Sequence, residues 1–311
     1  MDRWTTARMP AQNSRTAVVT GTGGLGYEDA LALARAGGDV IIAGRNARKG
    51  AEAVAKIRAE VPGAIVSFEQ LDLASLDSVE AFAARLKRSR QKLDLLINNA
   101  GVMVPPQRQE TADGFELQFG TNYLGHFALT AHLMPLLRQG NAPRVVSLSS
   151  VAARQGKIDF GDLQGRTNYN AMAAYSQSKI ACLMFAFELQ RRSEAGNWGV
   201  TSLAAHPGIS RTELLNNGPG KRSLEGRMRS LLWFLFQPVW QGALPTLFAA
   251  TAPEAKGGAY YGPHGLSETR GYPALAKVPP QVLDTAVAER LWALSEELAA
   301  VKFESEPARV G

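Results

Sequence analysis

The chain has 311 residues, 45% hydrophobic and 20% charged, which is enough apolar material for a large core and too much for global disorder. Its formal charge of +6 comes from 34 basic and 28 acidic residues scattered along the chain, so nucleic acid is not indicated as a partner. The single cysteine, Cys182, excludes an intrachain disulfide and any cysteine-built metal site.

Residues 1–13 read as an N-terminal extension without the apolar stretch of a signal peptide. Short β-branched runs then predict strands at 16–20, 39–43, 65–69, 93–97, 144–148 and 200–204. Helical patterns fall between them, at about 26–36, 47–60, 75–88, 111–138 and 173–194. Strands this apolar, alternating with helices, predict right-handed βαβ units around a parallel sheet covered on both faces. The expectation is one doubly wound α/β domain of Rossmann type, 1–311, with about seven strands. Residues 212–252 are rich in Leu, Trp and Phe at helical spacing, and 253–280 read as a loop around one short strand near 259–261. Residues 281–302 read as a final amphipathic helix. The longest apolar run, 231–236, is far shorter than the ~20 residues a membrane span needs. The expected location is the cytoplasm.

The first strand runs into Thr20-Gly21-Thr22-Gly23-Gly24-Leu25-Gly26, in which Gly21, Gly23 and Gly26 satisfy GxGxxG. A sharp strand-to-helix turn needs residues that accept positive φ, and a pyrophosphate reaches the backbone only where no Cβ intervenes. The helix beyond offers unpaired N–H groups and its positive dipole end. Residues 21–26 are therefore the expected dinucleotide cradle. The second strand ends in Gly44-Arg45-Asn46, with no acid to bind a ribose 2′-hydroxyl. The Arg45 guanidinium suits a 2′-phosphate, so NADP(H) is the expected cofactor, with Arg48 and Lys49 as weaker contacts. Asp72 and Leu73 close the third strand. Asp72 either accepts from the adenine amino group or caps the helix beginning near Leu76.

Together the 20–26 loop, Asn98-Asn99-Ala100-Gly101, Asn122, Ser150, Tyr175 and Lys179 spaced as YxxxK, and Pro207-Gly208 resemble the short-chain dehydrogenase/reductase family over nearly the whole chain. Ile158-Asp159-Phe160, Asp162-Leu163, His206-Pro207-Gly208 and Thr212-Glu213-Leu214 are similar to its retinol-dehydrogenase-like and protochlorophyllide-reductase-like branch. The resemblance implies hydride transfer between a nicotinamide and a carbonyl or alcohol. The sequence departs from the family in one place: its glycine loop reads TGxxGxG, one residue shorter than TGxxxGxG, with the glycines retained. Members of the branch often carry a membrane anchor, and none is expected here.

A carbonyl that receives hydride needs a proton donor beside its oxygen. A phenol alone holds its proton too tightly for efficient exchange near neutrality. A lysine four residues on shares the helix face, and its charge favours the phenolate. The resemblance assigns Tyr175 as acid/base, and Lys179 to that tuning and to holding the nicotinamide ribose. It gives Ser150 a hydrogen bond to the substrate oxygen and Asn122 a water relayed to Lys179. Ser149 is the alternative to Ser150, because alternate strand residues face opposite ways. By resemblance Asn99, Ala100 and Gly101 pass close to the adenosine ribose, and the 207–212 segment, with Pro207, Gly208 and Thr212, contacts the nicotinamide carboxamide. Simple turns explain the Asn-Asn and Pro-Gly pairs as well.

In this family residues 212–240 would cover the substrate. Trp233, Phe234, Phe236 and Trp240 point to a small hydrophobic carbonyl or alcohol substrate, with Gly218-Pro219-Gly220 as a hinge. A helix packed on the core or an oligomer surface explains the segment equally. His126, His132, His206 and His264 lack metal-ligand spacing and read as structural or surface residues, and no metal is expected. Family members are commonly homodimers or homotetramers. Two other readings stay open: reduction of an activated C=C bond, and a dinucleotide sensor that has lost catalysis. A sensor should lack part of the Tyr–Lys–Ser–Asn set, which is complete here.

Overall fold

Among the described residues, eight strands form one sheet in the order β3-β2-β1-β4-β5-β6-β7-β8. A computed structural model of the chain describes residues 3–209 and 237–303. The strands are β1 (Thr16–Thr20), β2 (Asp39–Gly44), β3 (Val66–Gln70), β4 (Leu95–Asn98), β5 (Arg144–Leu148), β6 (Thr201–Ala205), β7 (Tyr260–Gly265) and β8 (Arg270–Leu275). All neighbours pair in parallel except β7 and β8. The helices are α1 (Gly24–Arg35), α2 (Ala47–Glu60), α3 (Leu76–Ser89), α4 (Gly125–Leu137), α5 (Ala171–Ala195), α6 (Val239–Thr251) and α7 (Thr285–Leu298).

Side chains of a strand alternate between faces, and two cores follow from that. Val18 and Ile41 pack with Phe82 of α3, Phe127 of α4, Ile180 of α5 and Trp292 of α7. Val19 and Ile42 pack on the opposite side with Leu31 of α1, Ile57 of α2 and Leu247 of α6. Side-chain caps start several helices where the sequence turns polar: Asn46 for α2, Ser75 for α3, Asn170 for α5 and Asp284 for α7. The strand order reverses beside β1, which lies between β2 and β4. That reversal opens a crevice at the carboxyl ends of the strands, where such sheets bind ligands.

Several boundaries differ from expectation. The sheet has an eighth strand, β8, beyond the expected seven or so. It is a half-exposed edge strand in which Pro273 faces Pro263, so neither alternation nor composition marks it. Residues 111–116 are not helical: Glu110 and Glu116 form a bridge, a helical start at 117–118 runs into a π-helical turn at Phe119–Leu124, and α4 follows. The final helix is shorter than 281–302 and follows a 3₁₀ turn at Pro280–Leu283. Within the N-terminal stretch, Trp4 is buried and packs edge-on against Phe248. No helix among the described residues is long and apolar enough to cross a membrane. Thr212, the Gly-Pro-Gly hinge and most of the expected substrate cover lie outside the described residues, while Trp240 stands exposed on α6.

Candidate active site

The glycine loop divides its labour. Gly21 and Gly24 take φ of +102° and +54°, which turns β1 sharply into α1. A Cβ on Gly26 would stand 2.6 Å from the Gly21 carbonyl oxygen and from Asn99 Nδ2, so this glycine is sterically required by the protein itself. A Cβ on Gly23 would meet nothing within 4 Å. Gly23 is also the N-cap of α1 and offers no side-chain cap, which leaves first-turn N–H groups to an outside acceptor. An open cradle over an uncapped helix terminus fits a pyrophosphate. The one-residue shorter loop therefore keeps the features a dinucleotide needs.

Beneath the cradle Thr20 is a fully buried hub. Its Oγ1 accepts from the backbone N–H groups of Asn99 and Ala100, both at 2.9 Å, and Asn99 Nδ2 donates to its carbonyl at 2.7 Å. With both lone pairs engaged, the hydroxyl proton is left for His126 Nε2 at 2.9 Å and the Ile97 carbonyl at 3.3 Å, the ring being the nearer acceptor. The other ring nitrogen, Nδ1, donates to the Asn122 carbonyl at 2.9 Å. The tautomer is thereby fixed, and burial holds the ring neutral by pushing its pKa down to about 4. His126 is thus a structural residue, as its sequence context suggested, yet it joins the cofactor loop to the π-helical turn. The sequence reading missed that link; the spacing of one helical turn from Asn122 is the signal that could have found it.

At the end of β2, Arg45 is exposed and forms no hydrogen bond or ion pair among the described residues. Thr22 lies over Gly44, where an added Cβ would come within 2.8 Å of Thr22 Cγ2. Arg48 is engaged by Glu52 at 2.7 Å. Ser75, not Asp72, caps α3, and Asp72 Oδ1 accepts from Ala74 N at 3.0 Å in a local turn. The Leu73 side chain belongs to the core.

Tyr175 and Lys179 lie one turn apart on α5, Lys179 buried and Tyr175 partly so. Lys179 Nζ donates to the Leu148 carbonyl at 3.1 Å and stands 5.9 Å from the centre of the Tyr175 ring. The Tyr175 hydroxyl has no hydrogen-bond partner among the described residues. Both line a cleft of about 250 Å³ shared with Gly21, Gly23, Asn99 and Pro207. Of the two serines after β5, Ser149 spends its hydroxyl on the Lys179 carbonyl at 2.7 Å. Ser150 accepts from Ala152 N at 3.2 Å as the cap of a 3₁₀ turn, Val151–Gln155, and keeps its own proton to donate.

Asn122 is buried in the π-helical turn. Its side chain accepts from Val102 N at 2.7 Å and donates to Val102 O at 2.9 Å and Ser178 Oγ at 3.0 Å. Asn122 thus clamps the segment after Asn99-Ala100-Gly101, and a Cβ on Gly101 would stand 3.0 Å from its Oδ1. Cys182 is buried, its thiol donates to the Asn122 carbonyl at 3.2 Å, and burial pushes its pKa up. Gly208 takes φ of +64° beside Pro207, and the Pro207 carbonyl accepts from Gln237. No cluster of potential metal ligands occurs among the described residues.

Comparison with known proteins agrees with this geometry. The model of the short chain dehydrogenase family matches residues 15–222. The chain is 41% identical over 292 residues to a polyprenol dehydrogenase of Mus musculus, covering 92% of this chain and 84% of that protein. It is 41% identical over 298 residues to retinol dehydrogenase 13 of Homo sapiens, covering 94% and 86%. Among solved structures, an uncharacterised protein from Mycobacterium paratuberculosis shares 38% identity with a TM-score of 0.80, covering 97% of this chain and all of that one. A short chain dehydrogenase from Shigella flexneri, solved with NADP, shares the fold at 23% identity and a TM-score of 0.64, covering 81% and 98%.

Proposed function

The chain belongs to the short-chain dehydrogenase/reductase family, in its retinol-dehydrogenase-like branch, and is an oxidoreductase of carbonyl and alcohol groups; from that premise we propose that it uses NADP(H) on a bulky apolar substrate, with Tyr175 as acid/base. One observation carries the proposal: the Tyr175 hydroxyl, without a hydrogen-bond partner among the described residues, shares a cleft with the open Gly23 cradle and the Lys179 side chain.

The bound nicotinamide supplies or accepts the hydride. In the reducing direction Tyr175 gives its proton to the carbonyl oxygen as charge develops there, and Lys179 stabilises the phenolate left behind. In the oxidising direction the phenolate takes the alcohol proton. Ser150 donates its free hydroxyl proton to the same oxygen and orients it. Asn122 keeps the wall at Val102 in place, and holding a water toward Lys179 is its further role in this proposal. The helix α1 N-terminus and Gly23 receive the pyrophosphate, and Arg45 receives the 2′-phosphate. An unpaired guanidinium at the end of β2, with no acid beside it, supports NADP(H) over NAD(H). The aromatic residues at 233, 234, 236 and 240, and relatives that are polyprenol and retinol dehydrogenases, support an apolar alcohol or aldehyde.

The test is oxidation of NADPH and NADH against aromatic and alicyclic ketones, aldehydes and enones, repeated with Arg45→Glu. A preference for NADPH of about 10–100-fold, of the size a charge-assisted contact contributes, should collapse in the variant. Equal use of NADH by the unaltered chain contradicts the Arg45 reading, and turnover of enones alone replaces carbonyl reduction with C=C reduction.

A further inference from the structure

The turn between β7 and β8 runs through Leu266, Ser267 and Glu268 at φ of 46°, 55° and 64°. Three successive non-glycine residues in the left-handed region are strained, and such strain persists only where the surroundings hold it. Here the strain directs the Glu268 carboxylate inward, where its side chain is only 19% exposed. Oε2 accepts from Arg154 at 2.6 Å and from His206 Nε2 at 3.1 Å, and Oε1 accepts from Lys277 N at 2.8 Å. The ring of His206 is fully buried, and its Nδ1 accepts from Gly208 N at 3.2 Å. That bond leaves Nδ1 bare and puts the ring proton on Nε2, facing Glu268.

Two segments beside the cleft meet at this one carboxylate: the turn that follows Ser149, which lines it, and the stretch that leads into Pro207, which also lines it. Arg154 sits in the 3₁₀ turn that Ser150 caps, and it also donates to the Ser267 carbonyl at 3.2 Å. His206 immediately precedes Pro207-Gly208, and Ile209 N donates to the Thr269 carbonyl at 2.8 Å. We propose that Glu268 is a positioning residue for the active site, holding the Ser150 turn and the Pro207-Gly208 segment in one register. The two groups that face the reacting oxygen and the nicotinamide then stay aligned across the cleft. A carboxylate suits the place because three donors converge on it and it offers only acceptors. A glutamine has one oxygen, so at least one donor would face its amide N–H groups. The inference rests on the roles proposed above for Ser150 and Pro207-Gly208.

The test compares full-length Glu268→Gln with Ser267→Gly, which relieves the backbone strain and leaves the carboxylate. NADPH Kd, kcat and KM are measured, together with the His206 tautomer by ¹⁵N NMR and Tm. Glu268→Gln should lose about 100-fold in kcat/KM, the scale of a misplaced catalytic geometry, bind NADPH more weakly, and show mixed His206 tautomers. Ser267→Gly should keep its kinetics and raise Tm. Should Glu268→Gln not fold, Arg154→Gln, on a side chain already 37% exposed, should lower kcat while leaving NADPH Kd in place. Unchanged kcat, KM and NADPH Kd in Glu268→Gln, whatever its Tm, overturn the inference, as does unchanged kcat in Arg154→Gln. Failure of the unaltered chain to bind NADPH or NADH refutes the proposed function instead.

Discussion

Thr20 Oγ1 and His126 Nε2 stand 2.9 Å apart, and the direction of that bond is set by what surrounds it. Two backbone N–H groups occupy the hydroxyl's lone pairs, so its proton points to the ring, and the ring passes a proton donor to the Asn122 carbonyl. The cofactor loop and the clamp on Val102 are one hydrogen-bonded unit.

Removing the ring tests that unit. His126→Phe fills a similar space but takes one hydrogen bond from each of two buried groups, leaving the Thr20 hydroxyl with the Ile97 carbonyl and the Asn122 carbonyl with the Cys182 thiol, at a cost of about 1–3 kcal/mol in urea unfolding for the two bonds together. His126→Gln, which can still accept at the ε position, should recover part of the loss. The folded-state pKa of about 4 lies below the ordinary 6.5. The unfolded chain therefore binds the proton first, and this residue draws stability away as pH falls from 6.5 toward 4. The phenylalanine variant should lack that increment. A His126→Phe protein as stable as the unaltered chain contradicts the account.

Asp29 gives the opposite sign. It lies wholly buried on α1 with neither carboxylate oxygen partnered, and burial raises its pKa well above the usual range. The folded state keeps the proton, so the group weakens folding as pH rises from the unfolded pKa to the folded one. Asp29→Leu, with the same branched outline, should gain about 1–3 kcal/mol at neutral pH and progressively less toward pH 4. A variant less stable at pH 7, or a gain independent of pH, refutes the assignment.

The two kinds of glycine in the loop separate structure from binding. Gly26→Ala places a methyl 2.6 Å from the Gly21 carbonyl and should lower Tm sharply. Gly23→Ala has room in the protein and a φ of −145° that alanine adopts freely. It should leave Tm in place while weakening dinucleotide binding, measured by titration. Equal binding in Gly23→Ala would move the pyrophosphate elsewhere.

Local geometry was legible in the sequence, and distant geometry was not. Tyr175 and Lys179 were readable because four residues make one helical turn. The cradle was readable because a strand–glycine–helix junction is a local motif. The resemblance favours Ser150 over Ser149; Ser149 lines the cleft but bonds the Lys179 carbonyl, and Ser150 accepts from Ala152 N. In contrast, β8 hides in a Gly- and Pro-containing edge hairpin. The apolar pattern of 111–138 conceals a π-helical turn, in which Asn122 bonds to Val102 and Ser178, residues distant in sequence. Glu268 gave no signal at all, since its partners His206 and Arg154 lie 62 and 114 residues away.

The most direct test of the central claim is Tyr175→Phe, assayed for NADPH binding and for turnover on the best apolar aldehyde or ketone. Removing one unpartnered hydroxyl should leave Tm and NADPH Kd near those of the unaltered chain and lower kcat by about 10²–10⁴-fold, the range of general acid–base catalysis. Turnover that survives the substitution contradicts Tyr175 as the proton donor.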